Sequence, residues 1–283
     1  MEKDSNCIRF DWAAKYILRN KADFVILEGF VSAILDEKIT ITELLESESN
    51  QKGKDDKYNR VDIKAKNGKG DIILIEIQQS TEHYFLQRVL FGMAKTITEH
   101  FKLGEHYNNV KKVYSINILY FDFGKGDDYL YHGYNTLVGV NTGDQLKVTA
   151  TERQGINTFL SEKIFPEYYI LRVEKFDKEE THSAREEWMR YLNCGYIDPN
   201  TKVFGLHEAY ERLQELKMTV GERKAYEKHL ENISYQISVL DSARIDGRIE
   251  GREEGKNKAR EEITERMRKA GFDEETIQRI IRK

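Results

Sequence analysis

The 283-residue sequence predicts an α/β core followed by a helical C-terminal region. Three observations point there. Two strand-like runs flank the turn Asn67-Gly-Lys-Gly70, a strong hairpin signal. The apolar run VYSINILYF (113–121) follows a helix-like segment whose apolar residues recur every four positions. After Phe176 the chain turns to segments rich in Glu, Lys, Arg and Tyr with helical spacing.

The elements follow in order. Asp11 to Asn20 reads as a short helix with Trp12, Tyr16 and Leu18 available for packing. Asp23 caps a second helix to about Asp36, where Phe24, Leu27, Phe30, Val31, Ile34 and Leu35 share a face. Glu28 lies beside that face. Lys38 to Glu46 is a first strand, Ser47 to Asn59 a polar loop, and the hairpin strands come next. His83 to Leu103 is a helix with Phe85, Val89, Met93, Ile97 and Phe101 at four-residue steps. A buried central strand is expected within 112–123, weaker strands at 129–134 and 146–151, and a good one at 168–173.

Helices are then expected over 183–192, 206–217 and from Gly221 to about Leu240. Beyond them Gly247, Gly251 and Gly255 stand four residues apart. Each glycine costs a helix interior roughly 1 kcal/mol. That segment is expected to be helical only where a partner approaches closely, and a flexible linker otherwise. Two short helices around Gly271, the second capped by Asp273, close the chain. The expected divisions are 1–180, 181–240 and 241–283: a core domain, a helical extension and a charged, glycine-punctuated tail.

Composition narrows the class. The sequence is 39% hydrophobic and 33% charged with two prolines, enough for a sizeable core with polar-faced helices outside it. Net charge is −4, so bulk electrostatics do not advertise a nucleic-acid binder, although a local basic surface would suffice. Cys7 and Cys194 form no CxxC pattern, and the N-terminus lacks an apolar signal-peptide core. No apolar run reaches the ~20 residues of a membrane span. A soluble, cytoplasmic protein is expected.

The hairpin carries the chemistry. A register centred near Lys69 places Asp62 opposite Glu76, and opposed residues of antiparallel strands share a face. Gln78, two residues on, shares it too, whereas Ile73, Ile75, Ile77 and Gln79 point the other way. Two carboxylates so close repel unless protonated or bridged by a cation. A hard divalent ion, Mg²⁺ above all, resolves that repulsion and can activate water against a phosphodiester. Such acid pairs also occur simply solvated or bridged by a lysine.

Asp62 followed by Glu76-Ile-Gln78 after a hairpin, then a helix, resembles the PD-(D/E)XK phosphodiesterase superfamily. More narrowly, the chain resembles the PD-(D/E)XK nuclease family transposases, related to the recombination-promoting nucleases. The blocks NRVDIKAKNGKGDIILIEIQ, RVLFGMAKTITEHFKLGEHY, SINILYFDFG, FPEYYILRVEKFD and EEWMRYL carry the likeness in the family's order, from about Asp11 to Gly255.

The resemblance implies a restriction-endonuclease-like fold: a mixed central sheet flanked by helices. It implies Asp62 and Glu76 as metal ligands, with Gln78 where most of the superfamily has a catalytic lysine, and Mg²⁺ or Mn²⁺ as cofactor. Glu28 matches a further acidic position of some relatives, or is a solvated helix-edge charge. Gln87 and Arg88 resemble cleft-facing positions; Arg88 would clamp a phosphate or pair with a carboxylate. Arg60, Lys64 and neighbouring lysines make the strand region locally basic, suited to DNA or simply solvated. The expected activity is metal-dependent DNA cleavage linked to recombination, transposition or defence. The alternative is a catalytically weak or inactive DNA-binding module. DNA and a second copy of the chain are the expected partners.

Overall fold

The computed structural model describes residues 7–16, 24–45, 62–152, 155–160, 164–178, 180–214 and 218–281. The expected polar loop over 47–59 lies outside them, as do Asp23 and Arg60. The chain forms two compact units, Met1–Lys224 and Ala225–Lys283.

The first unit is built on a mixed six-stranded sheet of order β1-β2-β3-β4-β8-β5. Its members are β1 (Ile41–Leu45), β2 (Ile63–Asn67), β3 (Ile72–Gln78), β4 (Val113–Leu119), β5 (Leu130–Gly133) and β8 (Glu167–Arg172). Strands β3, β4 and β8 run parallel; β1, β2 and β5 pair antiparallel to their neighbours. Every residue of β4 is buried, as suits a central strand covered on both faces. A separate two-stranded sheet pairs β6 (Lys147–Glu152) with β7 (Gly155–Leu160).

The hairpin turn forms as its sequence dictates. Asn67 Oδ1 accepts from the amides of Lys69 (3.0 Å) and Asp71 (2.9 Å), and Gly70 takes φ +84°, a conformation glycine adopts without penalty. The turn fixes the pairing Ile63 with Ile75, Lys64 with Leu74, Ala65 with Ile73 and Lys66 with Ile72.

One face of the sheet packs on α3 (Phe85–Glu99). Phe85, Val89 and Met93 meet Ile72, Leu74, Val113 and Leu119, with Ile97 half-buried at the same seam. Strand alternation gives the opposite face Ile73, Ile75, Ile116 and Ile118, all fully buried. α1 (Phe10–Tyr16), α2 (Val25–Leu35) and α4 (Ala184–Cys194) share an aromatic cluster in which Phe10, Phe30, Trp188 and Tyr191 lie 5.2–6.1 Å apart.

α2 crosses the start of α5 (Leu206–Arg212) at two glycines. A Cβ on Gly29 would stand 2.2 Å from the Phe204 carbonyl oxygen, and Gly205 has φ +78°. The N-cap of α2 is Phe24, with no side-chain cap bond. In α4 the Ser183 hydroxyl caps the Glu186 amide. Thus α4 and α5, within the expected helical extension, pack on α2 inside the first unit.

α6 (Val220–Lys269), all but its first five residues in the second unit, continues as one helix through Gly247, Gly251 and Gly255. Among the described residues nothing else of the chain lies within 4 Å of where their Cβ atoms would be. Arg248, Glu250, Arg252, Glu254 and Lys256 beside the glycines are strong helix formers, and ion pairs such as Lys269–Glu265 add support. Gly271 at φ +84° ends it, and Asp273 caps α7 (Glu274–Ile281) through the Thr276 amide at 2.9 Å.

Candidate active site

Continuing the hairpin register one step past Ile63–Ile75 sets Asp62 opposite Glu76. Asp62 Oδ2 accepts a 2.7 Å hydrogen bond from the Ile77 amide, which ties the approach to β2 onto the end of β3. The Ile77 amide thereby helps to orient the Asp62 carboxylate.

Glu76 sits on the face covered by α3 and is 8% exposed. Burial raises its carboxyl pKa above the ordinary glutamate range. The Arg88 guanidinium counteracts this in part, while the charges of Asp62 and Glu82 reinforce it. Glu76 and Glu82 flank the Arg88 guanidinium, and Asp62 lies close enough for its charge to act on Glu76.

Arg88, one helical turn into α3, joins the pieces. Its Nη1 pairs with Glu76 Oε1, its Nη2 donates to Gln78 Oε1 at 3.0 Å, and its Nε lies 2.9 Å from Glu82 Oε2. The last contact is an ion pair out of line for a hydrogen bond. Gln78 Nε2 also reaches Glu82 at 3.4 Å. The Arg88 guanidinium lies 5.6 Å from the Phe85 ring. Gln79 turns away, donating to Asp11 Oδ2 on α1 at 2.8 Å, as strand alternation requires.

The structure thus gathers Asp62, Glu76, Gln78 and Arg88 and leaves the other sequence candidates elsewhere. Glu28 Oε1 accepts from the Ile41 amide at 2.7 Å; Ile41 pairs with Asn67, at the turn end of the hairpin and away from Asp62. Its carboxylate caps the start of β1 instead of joining the acid pair. Lys64 is buried beneath α3 in a 2.9 Å ion pair with Glu99, so it offers no charge to a DNA backbone. Lys69 pairs with Glu37. Gln87 is exposed on α3, and Arg60 lies outside the described residues.

Two neighbours escaped the sequence reading. Glu82 completes the ring of oxygens around Arg88. Asn117, on β4 directly beside Glu76 in the parallel register, is 1% exposed. Its Nδ2 donates to Ser115 and to the Tyr169 carbonyl, whereas its Oδ1 has no hydrogen-bond partner among the described residues. The signal was present: Ser115 and Asn117 are the polar residues of an otherwise apolar run, two apart and so on one face.

A divalent cation fits this donor set. Asp62 and Glu76 supply carboxylate oxygens, and the orphaned Asn117 Oδ1 is a further hard donor on the same face. Among the described residues no cluster of three or more His, Cys, Asp and Glu side chains has metal-site spacing. No described helix is long and apolar enough to cross a membrane.

A mixed sheet with helices on both faces and an acid pair at one hairpin's end is the α/β architecture of the PD-(D/E)XK phosphodiesterases. A family model described as PD-(D/E)XK nuclease family transposase matches residues 8–243, and the chain belongs to that family. Membership supports a nuclease- or transposase-related role with DNA as the implied substrate, and nucleases of this kind generally use divalent metals. No curated protein and no solved structure gave a match.

Proposed function

We propose that the protein is a divalent-metal-dependent DNA endonuclease, using Mg²⁺ or Mn²⁺ held by Asp62 and Glu76. The observation that carries this reading is the hairpin register, which sets the two carboxylates opposite one another beside Gln78 and Arg88. When bound, the ion supplies Lewis-acid polarisation of the scissile phosphate and acidifies a water.

The chain's own residues do the rest. Asp62 is held by the Ile77 amide, so its second oxygen is presented in a fixed direction. Gln78 brings a neutral amide, able to orient the attacking water or donate to a phosphoryl oxygen without adding charge. Arg88 supplies the positive charge that the superfamily's lysine gives elsewhere, and its fork matches a phosphate bidentately. Two copies, each cutting one strand, would deliver a double-strand break.

The test is cleavage of supercoiled plasmid by purified protein across Mg²⁺, Mn²⁺ and Ca²⁺, alongside Asp62→Ala and Glu76→Ala. Cleavage that depends on metal and disappears in both variants is expected. Metal-independent cleavage, or cleavage surviving both substitutions, would refute the assignment. Salt-sensitive DNA binding with no cleavage under any ion would favour the binding-module alternative.

A further inference from the structure

The guanidinium of Arg88 engages oxygens of Glu76, Gln78 and Glu82 at once. An arginine cannot shed its proton under physiological conditions, so this positive charge stays as long as the side chain does. Any metal ion arriving on Glu76 meets a fixed cation already on one of that carboxylate's oxygens. Like charges on a shared, buried carboxylate repel, and burial weakens the screening that water would provide.

A phosphodiester changes the balance. Its non-bridging oxygens fit the guanidinium fork as well as a carboxylate does. The guanidinium lies 5.6 Å from the Phe85 ring, a neighbour it can keep while its N–H groups exchange oxygen partners. With the guanidinium turned to phosphate, Glu76 and Gln78 are released together, because the same group holds both.

We propose that Arg88 is a resident counter-ion which occupies the metal site in the DNA-free protein and yields it when a backbone phosphate captures the guanidinium. The inference rests on the nuclease reading of the site and adds a coupling to it. DNA tightens metal binding and, by thermodynamic reciprocity, metal tightens DNA binding to the same degree. An unoccupied enzyme is thereby kept from loading metal, and so from hydrolysing, before substrate is in place.

The test is Mn²⁺ binding to the full-length protein, read from the electron paramagnetic resonance signal of free Mn²⁺. It is run with and without a short duplex carrying hydrolysis-resistant phosphorothioate linkages, the duplex-alone titration being subtracted. Wild type is expected to bind Mn²⁺ weakly alone and about tenfold or more tightly with duplex, as loss of one charge-assisted bond would give. Arg88→Gln is expected to bind Mn²⁺ alone about ten- to a hundredfold more tightly than wild type, with little further gain from duplex.

Arg88→Lys, which keeps the charge but loses the fork, is expected to fall between the two. Circular dichroism melts check that each variant is folded. Equal Mn²⁺ affinity of wild type and Arg88→Gln without duplex, with binding still lost in Asp62→Ala, overturns the counter-ion role and leaves the metal site standing. Mn²⁺ binding that ignores Asp62→Ala removes the metal site and this inference with it. An Arg88→Lys affinity equal to that of Arg88→Gln overturns the electrostatic basis.

Discussion

Asp62 has two separable duties, and a pair of substitutions tells them apart. Its carboxylate accepts from the Ile77 amide at 2.7 Å and faces Glu76 across the hairpin. Asp62→Asn keeps an oxygen for the amide and removes the negative charge. The exchange of a charged for a neutral acceptor costs about 1 kcal/mol of stability. Asp62→Ala leaves a half-buried amide without its acceptor, at about 1–3 kcal/mol. For a unit of this size each kcal/mol lowers the melting temperature by about 2–4 °C. Calorimetry should therefore rank wild type, Asp62→Asn and Asp62→Ala in falling order. Plasmid cleavage should instead drop by about a hundredfold or more in both variants alike, because both lose a metal ligand. Substantial cleavage by Asp62→Asn would refute the ligand role, and equal stability of the two variants would refute the role of the Ile77 bond.

The Glu76 carboxyl, raised by burial, binds its proton more tightly in the folded than in the unfolded chain. Its contribution to stability is thus present below the ordinary glutamate range and lost as pH rises through the raised value. Urea midpoints of metal-free protein should show a downward slope there that Glu76→Gln lacks, and saturating Mg²⁺ should lift stability on the high-pH side. Lys64→Ala should cost about 1–3 kcal/mol by removing a buried partner of the partly exposed Glu99, with DNA affinity unchanged by fluorescence anisotropy. Gly29→Ala should cost about 3 kcal/mol in urea unfolding, since its Cβ meets the Phe204 carbonyl at 2.2 Å where neither backbone can yield.

The readable parts of this protein are those written in local chemistry. Asn-Gly turn residues between two strand-like runs announced β2, β3 and their register, and the four-residue apolar spacing announced α3. The same local rules put Gln78 with Glu76 and turned Gln79 away. What stayed hidden depends on partners distant in sequence. Lys64 reads as one of a basic run, and only the packing of α3 over β2 gives it Glu99. Glu28 looks like a site acid until its bond to the Ile41 amide is seen. β7 has no alternation to announce it, and pairs with β6 outside the main sheet. Asn117 was legible as an anomaly, a buried amide in an apolar strand, but its place beside Glu76 required the parallel register of β3 and β4.

The order of pairings in the sheet bears on how the acid pair is assembled. Asp62 and Glu76 meet across the sheet's most local pairing, whereas β3 reaches β4 only from Ile72 to Val113, and β4 reaches β8 from Tyr114 to Glu167. Closing a short loop costs less chain entropy than closing a long one. The carboxylates are therefore brought together by the least expensive contact in the core, and the burial of Glu76 is completed by α3 and β4, which lie further along the chain. Substitutions along α3 and β4 can in this way retune how strongly Glu76 holds its proton without altering how the two acids face each other. The facing of the acid pair and the burial of Glu76 are thus set by different stretches of this chain.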